Sequence, residues 1–444
     1  MVRYNLNIAA KSLRRNPILT AVIISGIALG ICISTTFTTV RHMFTRDPLP
    51  GKSDRLFYVR LDNWDKDEAY PQSTDTGNVH RVPPQITYKD AVELMRSTIP
   101  VHQVMSYMAR VPVFPDRAVS RPYIDTIRLT QADFFVIYDV PFQYGHGWDH
   151  RADASAEQVV VIDNATNQRL FAGKNSIGKT VQLKDRNLTV IGVLAPWRPF
   201  IRVYDLVNNF VGAPEGFYVP FSTGLAMEMR PSGEGDTPTW AAQGIDFTKF
   251  KSVVMSDFDF VQLWVELRSP ADRAAYQRFV DDYVNQQKKV GRFPRPPNNV
   301  ILSLREMLVD MGVIRPKLSA MAALSVLFLV ICALNLSGLV LGKFLARAPE
   351  VSVRRALGAS RLDVFLQHIF ECELVGVAGG AIGMLLSAGI VHFMGKLISD
   401  TSVISLDAEM IGSAILLSLV AGCIAGLYPA WRISSVQPAV QLKI

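Results

Sequence analysis

Gly173 to Thr180 reads GKNSIGKT and matches the phosphate-loop pattern GxxxxGK[ST] letter for letter. That pattern cradles phosphates with backbone N–H groups and a lysine. The chemistry needs a buried strand before the loop and a helix after it, so that the helix N-terminus faces the anion. Here the helix-like run ATNQRLFAG comes first and the strand-like TVQLKD follows. The order is inverted, so the segment reads as a turn leading into a hairpin. His146 and His150, in GHGWDH, have the spacing of paired metal ligands. Their glycine-rich setting does not put them on one helical face, and no further ligand cluster accompanies them. No Ser/His/Asp or paired-carboxylate set stands out. Asn164 and Asn187 open N-x-T triplets, which matter only in a glycosylating host. The chain reads as non-enzymatic, with no metal or cofactor of its own.

The elements around these residues are more informative. Ile18 to Val40, Leu318 to Gly342, Leu374 to Gly395 and Met410 to Trp431 contain no Asp, Glu, Lys or Arg. Each meets the requirement of about 20 residues for a helix crossing a hydrocarbon core. The expected layout is a cytoplasmic amphipathic helix at 1–17, membrane helices at 18–40, 318–342, 364–395 and 410–431, and a large domain at 41–317. A cytoplasmic loop at 343–363, a short outer loop at 396–409 and a cytoplasmic tail at 432–444 complete it. In the N-terminal helix Leu6, Ala9, Ala10 and Leu13 share one face, apart from Arg3, Lys11 and Arg14, which suits a membrane interface. The first apolar stretch is too long for a signal-peptide core, and no small-x-small site closes it.

Basic residues near membrane segments stay cytoplasmic. Arg3, Lys11, Arg14, Arg15, Lys343, Arg347, Arg354, Arg355, Arg361, Arg432 and Lys443 flank one side, against the acidic Glu350 and Asp363. The other short loop has Lys396 against Asp400, Asp407 and Glu409. Both termini are therefore expected in the cytoplasm and the large domain outside. The flanking excess surpasses the whole formal net charge of +7, so the basic balance reflects topology and gives no case for nucleic acid. Cys32, Cys332, Cys372 and Cys423 all lie in or beside apolar segments, so the external domain must fold without disulfides.

Within that domain, strands are expected at Asp54 to Arg60, Val159 to Ile162, Val261 to Leu267 and Val300 to Leu302. Two more, within Thr180 to Leu194, join at Asp185 to Asn187 as a hairpin. Thr87 caps a helix through Ala91, Leu94 and Met95, and Thr166 to Phe171 reads as helical. Ser269 and Pro270 open a helix running to about Lys289. Residues 230–244 read as a loop. The expectation is an α+β domain whose first and last parts pack together, with a second lobe inserted at about 115–250.

The segment from Gly342 to Gly383 reads GKFLARAPEVSVRRALGASRLDVFLQHIFECELVGVAGGAIG. Its E-x-x-x-R-x-A-x-G-A pattern falls on Glu350, Arg354, Ala356, Gly358 and Ala359, followed by Glu371 and a glycine-rich helix. The C-terminal GLYPAWRISSVQPAVQLK supplies Gly426, Tyr428, Pro429, Ala430 and Pro438. These motifs, with SLRRNPILTAVIISGIALGI near the N-terminus and residues 129–195 of the outer domain, resemble the MacB/FtsX superfamily of ABC transporter permeases. The resemblance spans essentially the whole chain and is weak at 198–260. Before Glu350, Ala348–Pro349 replaces the more usual charged pair of the family.

The resemblance implies a permease without a fused ATPase. Its partners would be a separate cytoplasmic ABC ATPase dimer, which binds the ATP and Mg, and a second permease, identical or homologous. It also implies a periplasmic adaptor, an outer-membrane channel and the bacterial inner membrane. The loop from Pro349, with Glu350, Arg354, Arg355, Ala356, Gly358 and Ala359, would dock the ATPase, the arginines pairing with its acidic residues or helix C-termini. ATP binding would then drive motion of the external domain, with efflux as the output. Lipoprotein release, or FtsX-like control of a cell-wall hydrolase, is the alternative. Glu371 is expected in a packing contact and Asn335 in an interhelical hydrogen bond. Gly376, Gly379, Gly380 and Gly383 imply close helix approach, within the subunit or at a dimer seam. A receptor would need a cytoplasmic output domain, and the internal cytoplasmic stretch is too short for one.

Overall fold

The computed structural model describes residues 16–64, 66–67, 82–115, 121–208, 210–232, 245–314, 316–399 and 408–436. The expected N-terminal amphipathic helix, most of the 230–244 loop, Pro438 and most of the 396–409 loop lie outside the described residues. The chain divides into two compact units, one of residues 47–314 and one comprising the remainder.

In chain order the elements are α1 (Pro17–Thr45), β1 (Leu56–Arg60), β2 (Ile86–Thr87), α2 (Tyr88–Leu94), β3 (His102–Phe114), β4 (Tyr123–Thr130), α3 (Asp133–Ile137), β5 (Phe142–Gly145) and α4 (His150–Ser155). They continue with β6 (Val159–Ile162), α5 (Asn164–Phe171), β7 (Thr180–Leu183), β8 (Arg186–Leu194), β9 (Phe217–Pro220), α6 (Phe221–Ala226), α7 (Phe250–Val254), β10 (Asp259–Glu266), α8 (Pro270–Lys289), β11 (Val300–Ser303) and α9 (Leu304–Asp310). The last four are α10 (Pro316–Leu345), α11 (Ala348–Ala356), α12 (Arg361–Ser399) and α13 (Ala408–Ser434).

The 47–314 unit is built on an 11-stranded sheet ordered β11-β1-β10-β3-β4-β9-β6-β8-β5, with β2 beside β10 and β7 beside β3 and β8. The first and last strands do meet, because β1 pairs antiparallel with both β10 and β11. The 13-residue β3 pairs with β10 through His102 to Ser106 and with β4 through Tyr107 to Val113. One strand thus links β10 to β4 within the sheet. A long uninterrupted strand gives no turn signal at that point.

Alternation explains the two covered faces of this sheet. Met105, Tyr107, Ala109, Ile127, Leu129, Val261, Leu263 and Val265 share one apolar core with Tyr276, Val280 and Val284 of α8. The opposite phase, Tyr58, Arg60, Arg128, Tyr218, Gln262 and Trp264, is buried as well. In α8 the Ser269 hydroxyl accepts from the Asp272 N–H at 3.1 Å and Pro270 opens the first turn, a cap worth about 1 kcal/mol.

The other unit holds four helices long and apolar enough to cross a membrane, with lengths of 29, 30, 39 and 27 residues. At 1.5 Å per residue the shortest spans about 40 Å, so each extends beyond the apolar segment visible in the sequence. Pro429 stands inside α13 without ending it, as membrane helices tolerate where neighbours satisfy the freed carbonyl.

Candidate coupling site

The short helix α11 is attached through one face. Ala348, Val351 and Ser352 are buried, whereas Pro349, Glu350, Val353, Ala356, Leu357 and Gly358 are exposed, Leu357 at 84%. Pro349 sits in the first turn, where its missing N–H costs nothing. Gly358 adopts φ +103°, a conformation glycine reaches without strain. The Ala359 N–H donates to the Arg354 carbonyl and the Gly358 N–H to the Arg355 carbonyl, each at 3.1 Å. This is the glycine stop that closes a helix. Ser360 then caps α12, its hydroxyl accepting from the Asp363 N–H at 3.1 Å. Ala356 therefore ends α11, and Leu357, Gly358 and Ala359 form the turn into α12.

The charged residues divide into two groups. Glu350 Oε1 lies 3.7 Å from Arg354 one turn on, both half-exposed, and Arg354 also donates to Gln367 Oε1 at 3.1 Å. Arg355 was expected to reach outward. Instead its guanidinium donates to the carbonyls of Ser434, at 3.2 Å, and Val436. It neutralises the C-terminal end of α13, where the helix dipole favours a cation. Exposed carbonyls within its own chain claim it first.

Above α11, Glu371 meets a partner that sequence reading missed. Lys343 Nζ lies 2.6 Å from Glu371 Oε1, and their side chains are 3% and 4% exposed. Arg347 Nη1 stands 3.7 Å from the same oxygen. Lys343 had counted only as one of the flanking cations. Lys343 stands 28 residues before Glu371 in the sequence, a pairing that sequence separation alone does not specify. Glu373, nearby, accepts from Cys423 Sγ at 3.0 Å.

The glycines of α12 pack within the subunit. A Cβ at Gly379 would lie 2.8 Å from Ile27, and one at Gly383 would lie 2.6 Å from the Ala28 carbonyl oxygen, both in α1. A Cβ at Gly380 would lie 2.5 Å from Ser418, and one at Gly376 would lie 3.0 Å from the Ser418 carbonyl oxygen, in α13. Two glycine pairs on adjacent faces thus let α12 approach two helices. Gly426 lies against Cys372, and Ala430 is fully buried. Tyr428 and Trp431 are exposed, with ring centroids 6.3 Å apart. Asn335 departs from expectation. It is exposed and makes no hydrogen bond among the described residues, because α10 turns Ala333, Leu336 and Val340 inward instead.

The two sequence motifs that raised chemistry do not assemble sites. GKNSIGKT follows α5 and enters β7 as a turn, with Ser176 buried and bonded to Asn167 Oδ1 at 2.8 Å. Lys179 Nζ instead sits 5.0 Å from the Phe171 ring centroid. His150 Nε2 lies 3.3 Å from Asp133 Oδ1, and His146 Nδ1 lies 2.7 Å from the Gly147 carbonyl. Among the described residues no group of three or more His, Cys, Asp or Glu side chains is placed to hold a metal ion.

A four-helix membrane unit with a short half-exposed helix between α10 and α12, joined to a large sheet domain, defines a multi-pass permease subunit. Residues 20–283 match the MacB-like periplasmic core domain, and residues 322–438 match the FtsX-like permease C-terminal domain. The chain belongs to this MacB/FtsX-like family of ABC transporter permeases. It is 24% identical over 351 residues to the macrolide export ATP-binding/permease protein MacB of Syntrophobacter fumaroxidans, covering 71% of this chain and 46% of that one. With the protein of the same name from Acinetobacter baylyi it shares 22% identity over 319 residues, 72% of this chain and 42% of the other. The chain thus spans less than half the length of these curated relatives. The periplasmic region of MacB from Actinobacillus actinomycetemcomitans aligns with 59% of this chain and 95% of its own, at 13% identity and a TM-score of 0.36.

Proposed function

We propose that this chain is the permease of an ABC exporter of the bacterial inner membrane, with both termini in the cytoplasm and the 47–314 domain in the periplasm. The exposed face of α11 docks an ABC ATPase, which binds the ATP and Mg; this chain binds neither. The observation that carries the reading is the two-sided character of α11. Its inner face is fixed by Ala348, Val351 and Arg355, while Pro349, Glu350, Val353 and Leu357 are exposed among the described residues. Leu357 offers an apolar anchor, and the Glu350–Arg354 pair offers charge at its rim.

ATPase closure moves α11, and α1 and α10 pass the motion to the external domain. Two permease copies, identical or homologous, work together, and the external domains drive efflux of a periplasmic substrate through an adaptor and an outer-membrane channel. The earlier arginine-based docking is narrowed to Glu350, Arg354 and the apolar residues beside them.

The test purifies the tagged full-length chain from native membranes. Wild type is expected to bring an ABC ATPase, a second permease and an adaptor. Leu357→Asp is expected to lose the ATPase at normal abundance. Glu350→Lys and Arg354→Glu are expected to keep the fold and uncouple hydrolysis from output. Normal coupling in all three variants would refute the docking face. An ATPase accompanied by a lipoprotein carrier or cell-wall hydrolase would keep the machinery and replace the output.

A further inference from the structure

We infer that the Lys343–Glu371 pair is the joint through which motion of α11 enters the membrane helices, and that both are positioning residues for energy coupling. This rests on the coupling reading above. Lys343 lies in the last turn of α10, five residues before α11 begins, and Glu371 faces it from α12. The pair spans the two helices that flank α11 in sequence, closing α10, α11 and α12 into a loop fastened at its base.

Three observations converge on this point. The pair is withdrawn from its surroundings at 3% and 4% exposure, with Arg347 as a further cation 3.7 Å from the glutamate. A narrow cleft beside it is lined by Ile23 of α1, Phe344 of α10, Val375 of α12 and Ala425 of α13, so the pair stands where all four helices meet. His368, one turn before Glu371, packs edge-on against Phe344 at 4.3 Å between ring centroids, adding an apolar contact to the same α10–α12 seam.

The geometry is directional. An ion pair in a low-dielectric setting resists separation more strongly than apolar contacts of equal area, because parting it strands two desolvated charges. Apolar side chains in lipid can slide past one another, since lipid tails replace the lost contacts. A displaced α11 therefore carries α10 and α12 together, and α10 is the helix that follows the external domain in the chain.

The experiment uses the full-length chain in membranes with its cognate ATPase, and compares Lys343→Arg, Glu371→Gln, Lys343→Met and the apolar double variant Lys343→Met/Glu371→Leu. Abundance and ATPase retention are read first, then permease-dependent stimulation of hydrolysis. Lys343→Arg is expected to work as wild type. The double variant, which removes both charges of the pair and leaves only the more exposed Arg347 without the Glu371 carboxylate, is expected to return to normal abundance with the ATPase bound, yet to lose stimulation by about fivefold or more, the scale of a functional coupling energy. Normal stimulation in the double variant would make the pair merely structural and overturn the inference. A second readout separates this outcome from failure of the docking reading. Spin labels at Val353 and Leu324 report the spread of distances between α11 and α10 in the chain without ATPase. A broader distribution in the double variant supports the joint, and an unchanged one overturns it. Absence of any ATPase from wild type would instead count against the proposed function alone.

Discussion

The two units of this molecule pack their interiors by different means. In the sheet domain, bulk and charge are taken inside. Arg128 on β4 is fully buried and meets Asp205 and Glu215, themselves fully buried, while Arg202 lies 3.5 Å from Glu215 and Gln262 donates to Asp205 at 2.7 Å. Burial works against the charged form of Arg128, and the two carboxylates outweigh it, holding its pKa raised. Burial likewise pushes Asp205 up, and Arg128 and Arg202 overcome it and hold its pKa lowered. In the helical unit, side chains are instead removed. Gly376, Gly379, Gly380 and Gly383 bring backbones together. The difference follows from the solvent. Water drives apolar burial strongly enough to seat a desolvated ion cluster within a large core. Lipid offers no such drive, so close contact and a few polar joints hold helices together.

Breaking the charge cluster gives the largest expected effect. Arg128→Met leaves Asp205 and Glu215 buried without their central cation, and should cost about 3–5 kcal/mol. Denaturant unfolding of the detergent-solubilised full chain, followed by tryptophan fluorescence, measures it. The quadruple variant Arg128→Met/Arg202→Met/Asp205→Asn/Glu215→Gln should recover much of the loss, because it also removes Arg202, the second buried cation of the cluster, which lies 3.5 Å from Glu215. A loss below about 1 kcal/mol in the single variant, within the range of an ordinary neutral hydrogen bond, would show that this cluster is incidental to the domain.

The helical unit is tested by adding one carbon. Gly383→Ala places a methyl 2.6 Å from the Ala28 carbonyl oxygen and should destabilise the unit by about 1–3 kcal/mol, the scale of overpacking. Gly338→Ala and Gly342→Ala place the same methyl in open space. They should be neutral or stabilising by up to about 1 kcal/mol, since alanine is the better helix former. Thermal unfolding of each variant in the same detergent decides it. Equal shifts at all three positions would remove the close-packing account.

What could be read beforehand follows the same division. Apolar length announced the membrane helices, and Ser269–Pro270 announced the start of α8, because each signal is local. No local signal marks the middle of β3, which runs unbroken from His102 to Phe114 and changes partner from β10 to β4. Arg355 and Lys343 were both counted as cytoplasmic cations, yet one caps α13 and the other pairs with Glu371. Their partners lie 79 and 28 residues away, and nothing in a charge pattern specifies a meeting at that distance. The glycines of α12 signalled close approach, whereas their partners in α1 and α13 became visible only in the fold.

A third prediction sharpens the comparison within the sheet domain, where one buried acid makes no direct ion pair among the described residues. Asp259 is 2% exposed, accepts from Asn63 Nδ2 at 2.7 Å, and its other oxygen has no partner. Burial pushes its pKa well above the ordinary carboxylate range. A raised folded-state pKa contributes stability that is complete below the unfolded value and is lost as pH rises through the folded one. Asp259→Asn keeps an acceptor for Asn63 and removes the titration. The variant should therefore gain on wild type at neutral pH, and the gain should fade as pH drops below the ordinary aspartate value of about 4. Unfolding midpoints across that interval test it, and a difference independent of pH would assign the effect to packing.

The smallest effect is expected at the most conspicuous motif. Lys179 is exposed and its ammonium stands 5.0 Å from the Phe171 ring centroid, a contact worth no more than about 1 kcal/mol at such a site. Lys179→Ala should shift stability by no more than that and leave energy coupling untouched. A phosphate loop works because a helix N-terminus and successive backbone N–H groups converge on one anion. Here the Gly178 N–H is already spent on the Val190 carbonyl and the Lys179 N–H on the Ser176 carbonyl, and a strand rather than a helix follows. Titration of the full chain with a labelled ATP analogue, in the absence of any ATPase, measures the point directly. Saturable binding abolished by Lys179→Ala would mean that these donors can be freed, and the motif would then have to be read as a site despite its inverted surroundings.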